Sequence, residues 1–334
     1  MTPLISIIVP VYNLRTLIAK SLESLIAQDY KNLEIIVVDD CSSDNSADEA
    51  EICLSKSSRQ YKILRHEKNR GVSAARNTGI KVAQGEFFTV FDGDDLCDSN
   101  MITLLYTKAV KILPHADITI CGHRTLDETT GKTAYYPIKN YESLEKQTTQ
   151  EAVAARILNR FEPSLSTLYK TTVIRSNNIE YTEGCSAGED GEFFLKALIV
   201  SNNISAIADT PYIYVQHAKM GSWNMKRTIR AKRYRDNAYA IMRTYQFIKP
   251  LVTTKKLKKI VDCLLFPEAC FRLLSAAAQN GNKEEFLTIK KSISPLALLR
   301  SRHIFCIKPE YFLKSLFFLA MPSTYFSHYN KRRI

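Results

Sequence analysis

Residues 1–121 alternate short β-branched runs with stretches whose apolar side chains recur every three to four positions, and this alternation leaves little choice of architecture. Ile5 to Val11, rich in Ile and Val, reads as a buried strand. Leu14, Leu17, Ile18, Leu22, Leu25 and Ile26 then fall on one helical face. Glu34 to Val38 is a second predicted strand, Tyr61 to Leu64 a third, Phe87 to Phe91 a fourth and Asp117 to Cys121 a fifth. Between them lie predicted helices through Ile52 and Leu54 (capped by Asp44 or Ser46), over Val72–Val82 after Gly71, and over Met101–Leu113 (capped by Ser99 and ended by Pro114). Such a chain forms an α/β domain with a mostly parallel sheet, whose ligands bind beyond the carboxyl ends of the strands. Two of those ends are acidic: Asp39-Asp40 and Asp92-Gly93-Asp94-Asp95.

Further along, residues 122–148 read as polar and irregular. Helices are expected over Thr149–Leu158, Thr171–Ser176 and Glu189–Val200, with short strands at Ile204–Ile207 and Tyr212–Val215. Met220-Gly221-Ser222 marks a domain boundary, so the expected organisation is a domain of residues 1–221 followed by a helical region, 222–334. Charge changes at the same place. Residues 1–220 carry 23 Lys/Arg against 28 Asp/Glu, and residues 221–334 carry 23 against 6. The 45% hydrophobic, 24% charged composition excludes a disordered chain. The eight cysteines are scattered without a C-x-x-C pair, which supports neither a zinc ribbon nor a disulfide framework and fits reduced thiols in the cytosol. No basic leader precedes the first apolar run, and no run reaches the length of a membrane span, so neither a cleaved signal nor an integral protein is expected.

Each polar cluster has two readings. Three carboxylates at Asp92, Asp94 and Asp95 repel one another and call for a cation or for solvent. A hard divalent metal meets that need, whereas a solvated acidic turn is the plainer alternative. Asp39-Asp40 either accepts from a base N–H or a ribose hydroxyl, or caps and turns its loop. Glu189 and Asp190 open a helix, where acids favour the macrodipole; one of them placed as a general base is the other reading. Arg76 is either a surface cation or a phosphate ligand.

Taken together the segments resemble the family-2 inverting glycosyltransferases of glycosyltransferase-A fold. The matches run in family order from residue 4 to 222: Ser6 to Asn13, Glu34 to Asp40, Gly71 to Gly79, Phe91 to Asp95, Leu168-Tyr169-Lys170 and Gly188-Glu189-Asp190. The resemblance implies that Pro10 and Tyr12 line the nucleotide base, that Asp40 accepts the N3–H of uracil, and that Arg76 lies near the diphosphate. Asp92 and Asp94 form the D-x-D element, with Asp94 and Asp95 as the expected ligands of Mn²⁺ or Mg²⁺. Asp190 is the implied catalytic base, and Glu189 positions the acceptor or its loop. The expected reaction moves a sugar from a UDP-sugar to a hydroxyl of a saccharide or lipid-linked acceptor, in bacterial capsule, exopolysaccharide or O-antigen synthesis.

Departures from the family pattern are specific. Cys41 replaces the usual Gly after the two acids, and no Arg follows the aromatic strand Tyr212–Val215. His217 or Lys219 is expected to serve at the diphosphate instead, His217 with the further option of ligating metal or of being a plain loop histidine. Trp223 either stacks on an acceptor sugar or packs at the boundary. In the basic region, Lys255, Lys256, Lys258 and Lys259 border Leu257, Ile260 and Val261. Near the end, Tyr311-Phe312-Leu313 and Leu316 to Leu319 interleave with Lys314 and precede Lys331-Arg332-Arg333. Cations beside apolar faces suit an anionic membrane surface, which predicts a peripheral protein at the cytoplasmic face. Core or homo-oligomer packing is the alternative, and no nucleic-acid motif is present. Two rival functions stand beside the transferase. A sugar nucleotidyltransferase is disfavoured because Pro10-Val11-Tyr12-Asn13 stands where its phosphate loop belongs. A non-catalytic nucleotide-sugar-binding or scaffold protein is disfavoured by the intact Asp92, Asp94, Asp95 and Asp190.

Overall fold

The computed structural model describes residues 2–112, 114–139, 141–158, 166–217, 227–279 and 282–293, and nine positions between 313 and 327. Eleven strands are formed among these residues: β1 (Ile5–Val11), β2 (Leu33–Asp39), β3 (Gln60–Arg65), β4 (Phe87–Val90), β5 (Leu96–Cys97), β6 (Ile118–Ile120), β7 (His123–Asp127), β8 (Thr133–Tyr136), β9 (Leu168–Lys170), β10 (Ile204–Ala206) and β11 (Tyr212–Gln216). The residues fall into two compact units. One takes the described parts of Met1–Ala152, Asn159–Gly184 and Val200–Gly221; the other takes those of Val153–Leu158, Cys185–Ile199 and Ser222–Ile334.

The first unit is built on a seven-stranded sheet in the order β10-β6-β9-β4-β1-β2-β3. Only β9 runs antiparallel to its neighbours, so the expected mixed, mostly parallel sheet is present. Every residue of β1 and β2 is buried, as strands covered on both faces must be. The helix Ile18–Ile26 buries Ile18, Leu22 and Leu25 against this sheet with Phe87, Phe91, Met101 and Leu105. At about 25 cal/mol per Å² of apolar area, each of these large side chains stabilises the fold by about 2 kcal/mol. Strand order reverses at β1, which has β2 on one side and β4 on the other, so the carboxyl ends of β1 and β4 form the switch point at which sheets of this kind bind ligands.

Residues 122–148 are not irregular, a correction to the sequence reading. They contribute β7, β8 and the helix Tyr141–Glu145. With β5 and β11 they form a second sheet in the order β5-β11-β7-β8. All four residues of β8 are exposed, so no hydrophobic alternation marks the strand. The capping expectation also changes. Asn45, with φ +63°, precedes the helix Ser46–Leu54 without a side-chain cap. Asp44 Oδ1 accepts from the N–H of Ser46, the first helical residue (3.1 Å). Asp44 Oδ2 and the Ser46 hydroxyl also hold the loop after β1, accepting from the backbone N–H of Arg15 (3.0 Å) and Leu14 (2.7 Å).

The second unit is helical. Arg227–Ile248 is followed by Lys255–Ile260, a π-helical turn over Val261–Leu265, Phe266–Gln279 and Lys283–Ser292. Cys270, Phe271, Leu274, Ala277, Phe286 and Phe318 form its core. Among the described residues, no helix is long and apolar enough to cross a membrane. Lys219, the 220–222 boundary, Trp223, Tyr311, Phe312, Lys314, Leu316 and Lys331 to Arg333 lie outside the described residues.

Candidate active site

Because β1, β2, β3 and β4 are parallel, their carboxyl ends share one edge of the sheet. Pro10 is buried within β1, and Tyr12, the first residue beyond it, is 49% exposed at that edge. Asn13 then turns through φ +53°, and its side-chain carbonyl accepts from the N–H of Ser43, 2.9 Å away. The loops after β1 and β2 are thereby knitted together.

Asp40 follows β2 and is buried. One carboxylate oxygen accepts from the N–H of Arg70 (2.9 Å) and lies 2.7 Å from His66 Nδ1, while the other accepts from the N–H of Gly71 (2.6 Å). Gly71 has φ +89°, a conformation few other residues adopt, and opens the helix Val72–Val82. Asp40 thus shapes the start of this helix. His66 Nε2 is 3.0 Å from Thr78 Oγ1 on the same helix. Cys41 stands at φ +63°, the left-handed region, which gives a conformational reason for glycine at this position.

Arg76 projects from the Val72–Val82 helix and is only 3% exposed. Its Nη2 donates to Asp92 Oδ1 at 3.0 Å, and its guanidinium lies 5.1 Å from the centre of the Tyr181 ring. The sequence alternative of a surface cation is therefore not met; the cation is buried and aimed at the acidic loop. Asn77 fixes Tyr181 by exchanging hydrogen bonds of 2.8 and 2.9 Å with its backbone.

Asp92, Asp94 and Asp95 converge after β4, each offering an oxygen within 4.8 Å of the others. Burial, then the Asp92 charge, raises the pKa of Asp94. Burial likewise pushes Asp95 up to about 8, although its Oδ2 accepts from the Tyr212 hydroxyl and its Oδ1 from the Val215 N–H at 2.8 Å. The antiparallel pairing of β5 with β11 brings these two donors to the acidic loop. Burial and the neighbouring Asp95 also hold the Tyr212 hydroxyl well above its usual pKa. Crowded carboxylates held in their reluctant state are the oxygen donor set that a hard divalent cation fits. His217, just past β11, places Nε2 3.3 Å from the Asp94 carbonyl and Nδ1 2.8 Å from Glu128.

Glu189 and Asp190 lie in the other unit, in the first turn of the helix Glu189–Val200 with Asp190 exposed. Within the first unit the structure therefore gathers Asp92, Asp94, Asp95, Arg76 and His217 around one acidic loop. His66, Tyr181, Tyr212 and Glu128 are partners that residue patterns did not single out. His66 alone had a signal, since it directly follows a third parallel strand at the same edge; the others meet their partners across about 90–120 residues of chain, where spacing carries no information.

The family model described as Glycosyl transferase family 2 matches residues 6–165. Glycosyltransferase GlyG of Streptococcus pneumoniae serotype 4 is 30% identical over 223 residues, covering 64% of this chain and 71% of the relative. Glycosyltransferase GlyA of the same organism is 31% identical over 223 residues, and the match spans 63% of this chain but only 30% of that longer protein. Among solved structures, S. aureus TarS residues 1–349 in complex with UDP-GlcNAc superposes with a TM-score of 0.57 at 20% identity, over 86% of this chain and 90% of that one. The mannosyltransferase PcManGT of Pyrobaculum calidifontis, in complex with GDP-Man and Mn²⁺, superposes with a TM-score of 0.53 at 19% identity, over 96% and 88%. The fold is thus that of the glycosyltransferase-A enzymes.

Proposed function

The chain belongs to glycosyl transferase family 2, and we propose from that premise that it transfers a sugar from a UDP-sugar to a hydroxyl of a saccharide or lipid-linked saccharide, with inversion, in bacterial surface-polysaccharide assembly. The observation that carries this reading is the convergence of Asp92, Asp94 and Asp95 beside the buried Arg76, at the edge where β1 and β4 part. UDP-GlcNAc in the TarS complex and GDP-Man with Mn²⁺ in the PcManGT complex support a nucleotide-sugar donor and a divalent metal.

Tyr12 and Pro10 form the wall for the uracil ring. Three of the roughly four lone-pair positions of the Asp40 carboxylate serve His66, Arg70 and Gly71 of the loop after β3, which leaves one for the uracil N3–H. Asp94 and Asp95, with Asp92 beside them, would hold Mn²⁺ or Mg²⁺, which would supply positive charge to offset the negative charge of the leaving UDP. Arg76 adds a fixed positive charge on the same side. His217, placed against the Asp94 carbonyl, takes the diphosphate role of the missing arginine. Asp190 removes the acceptor hydroxyl proton as that oxygen attacks the anomeric carbon, and Glu189 positions the acceptor. A bond from acceptor oxygen to anomeric carbon forms while the bond from that carbon to phosphate oxygen breaks. One displacement inverts the centre, so an α-linked donor yields a β-glycoside.

Lys255, Lys256, Lys258 and Lys259 are all exposed, whereas the apolar residues they border, Leu257, Ile260 and Val261, are buried in the helical unit. The proposed contact with an anionic membrane is therefore made by the cations and not by that apolar face. Flotation with anionic liposomes tests that contact. For the donor reading, calorimetry of UDP binding with Mn²⁺, with Mg²⁺ and in chelator is decisive. Binding strengthened by metal is expected, and equal affinity in all three would falsify the metal-anchored site.

A further inference from the structure

In the second unit, one face of the long helix Arg227–Ile248 grips the loop that carries the candidate base. Ser186 donates both its N–H (3.0 Å) and its hydroxyl (2.6 Å) to Asp236 Oδ2. Gly188, at φ +87°, packs so tightly that an added Cβ would lie 2.9–3.1 Å from Asn237 and Ala240. Just beyond the base, Glu192 is buried, and its carboxylate receives Arg243 Nε at 3.0 and 3.1 Å and Nη2 at 2.7 Å. The same Nη2 is 3.5 Å from Cys185 Sγ. Lys196 completes the set at 2.7 Å from Glu192, one turn further along the helix.

Asp236, Ala240 and Arg243 stand at i, i+4 and i+7, a single stripe of the helix. Their attachments, at Ser186 on one side and Glu192 on the other, bracket Glu189 and Asp190. The backbone between two clamped points six residues apart has little freedom left. We infer that Asp236 and Arg243 are positioning residues, which fix the start of the Glu189–Val200 helix so that Asp190 meets the acceptor hydroxyl in reactive geometry. The inference rests on the reading of Asp190 as base. Its physical basis is that displacing a catalytic group by about 1 Å costs about 100-fold in rate. The basic helical region thereby has a task in positioning the candidate base.

The test is the steady-state release of UDP from a UDP-sugar in Mn²⁺ with water as acceptor, the donor being whichever of UDP-glucose, UDP-galactose and UDP-N-acetylglucosamine gives the largest thermal shift. In this turnover the anomeric carbon exchanges its bond to phosphate for one to water oxygen, and the water proton passes to Asp190. Arg243→Gln and Asp236→Asn are expected to lower kcat 10- to 100-fold while donor KM and UDP affinity stay within twofold. Arg243→Lys is expected to recover part of the loss, because a lysine keeps the charge but not the fork. Ser186→Ala removes one hydroxyl and is expected to cost three- to tenfold in kcat at an unchanged melting temperature. Should the two charge-removing variants fail to fold, Ser186→Ala and Arg243→Lys decide, and wild-type kcat in both overturns the inference. So does a loss that follows only the amount of folded protein. Asp190→Asn is measured alongside. Wild-type UDP release from Asp190→Asn removes the base reading itself, whereas an inactive Asp190→Asn beside fully active Asp236 and Arg243 variants removes only the positioning role.

Discussion

The acidic loop and the candidate base are mounted differently. Asp40 directly follows β2, and Asp92, Asp94 and Asp95 lie two to five residues beyond β4, so the parallel register of β1, β2 and β4 brings them to one edge of the sheet. There, hydrogen bonds from Arg70, Gly71, Tyr212 and Val215 hold Asp40 and Asp95. Asp190 sits at a helix start whose approach is tied down by Asp236 and Arg243, residues 50 and 51 positions beyond their partners. A strand-end site is rigid because the sheet is; a helix-start site is only as rigid as its tethers. Donor-side changes are therefore expected to act on binding, and base-side changes on turnover.

The sharpest way to break this division is Asp190→Asn. The amide keeps the shape and hydrogen-bonding reach of the side chain but cannot take a proton. Transfer is expected to fall 10²- to 10⁴-fold, the usual contribution of a general base, with UDP affinity unchanged by calorimetry. Weakened UDP binding in this variant would merge the two halves of the comparison. Next in size is Asp94→Ala. The substitution removes one oxygen donor from the cluster, so the gain in UDP affinity on adding Mn²⁺ is expected to shrink at least tenfold, while affinity in chelator stays as it was. A Mn²⁺ gain equal to wild type would remove Asp94 from the metal site.

Tyr212→Phe sharpens the donor side further. The hydroxyl donates to Asp95, whose pKa burial raises to about 8. Deleting it leaves a buried carboxyl with the Val215 N–H alone, at a cost of about 1–3 kcal/mol. The sign with pH follows. The hydroxyl lowers the Asp95 pKa, so it stabilises the ionised form most, and that form prevails in the wild type only above about 8. In chelator, the melting-temperature loss should therefore be larger at pH 9 than at pH 6. An equal loss at both would mean that Asp95 does not titrate between them.

Legibility followed the same division. β1, β2 and β4 could be read because strands buried on both faces are continuous apolar runs, and their acidic ends stood out against them. β8 could not, since Thr133 to Tyr136 are all exposed and carry no period. The carboxylates were visible one by one, but their partners were not. Tyr212 meets Asp95 across 117 residues, and Tyr181 meets Arg76 across a similar span, contacts that only the folded sheet creates. In the basic region the charge was plain from composition, whereas the use of Asp236 and Arg243 depends on which face the helix turns to the loop.

The smallest expected effect lies on the donor side at Cys41. Its φ of +63° places a side chain where Cβ crowds the following carbonyl, a strain of about 1–2 kcal/mol that glycine does not bear. Glycine in turn loses more chain entropy on folding, by about 0.5–1 kcal/mol. Cys41→Gly is therefore expected to stabilise the protein by about 0.5–1 kcal/mol, a rise in melting temperature of about 1–3 °C. The thiol, 3.7 Å from the Glu67 carbonyl, is a weak donor whose loss subtracts little. Donor KM and kcat are expected to stay within twofold, because the loop already holds the glycine-like conformation and Asp40 is fixed independently by Arg70, Gly71 and His66. A large change in donor KM would show instead that the β2 loop rearranges once the cysteine is gone, and the claim that the sheet edge and the anchors of Asp40 fix the donor side would fail.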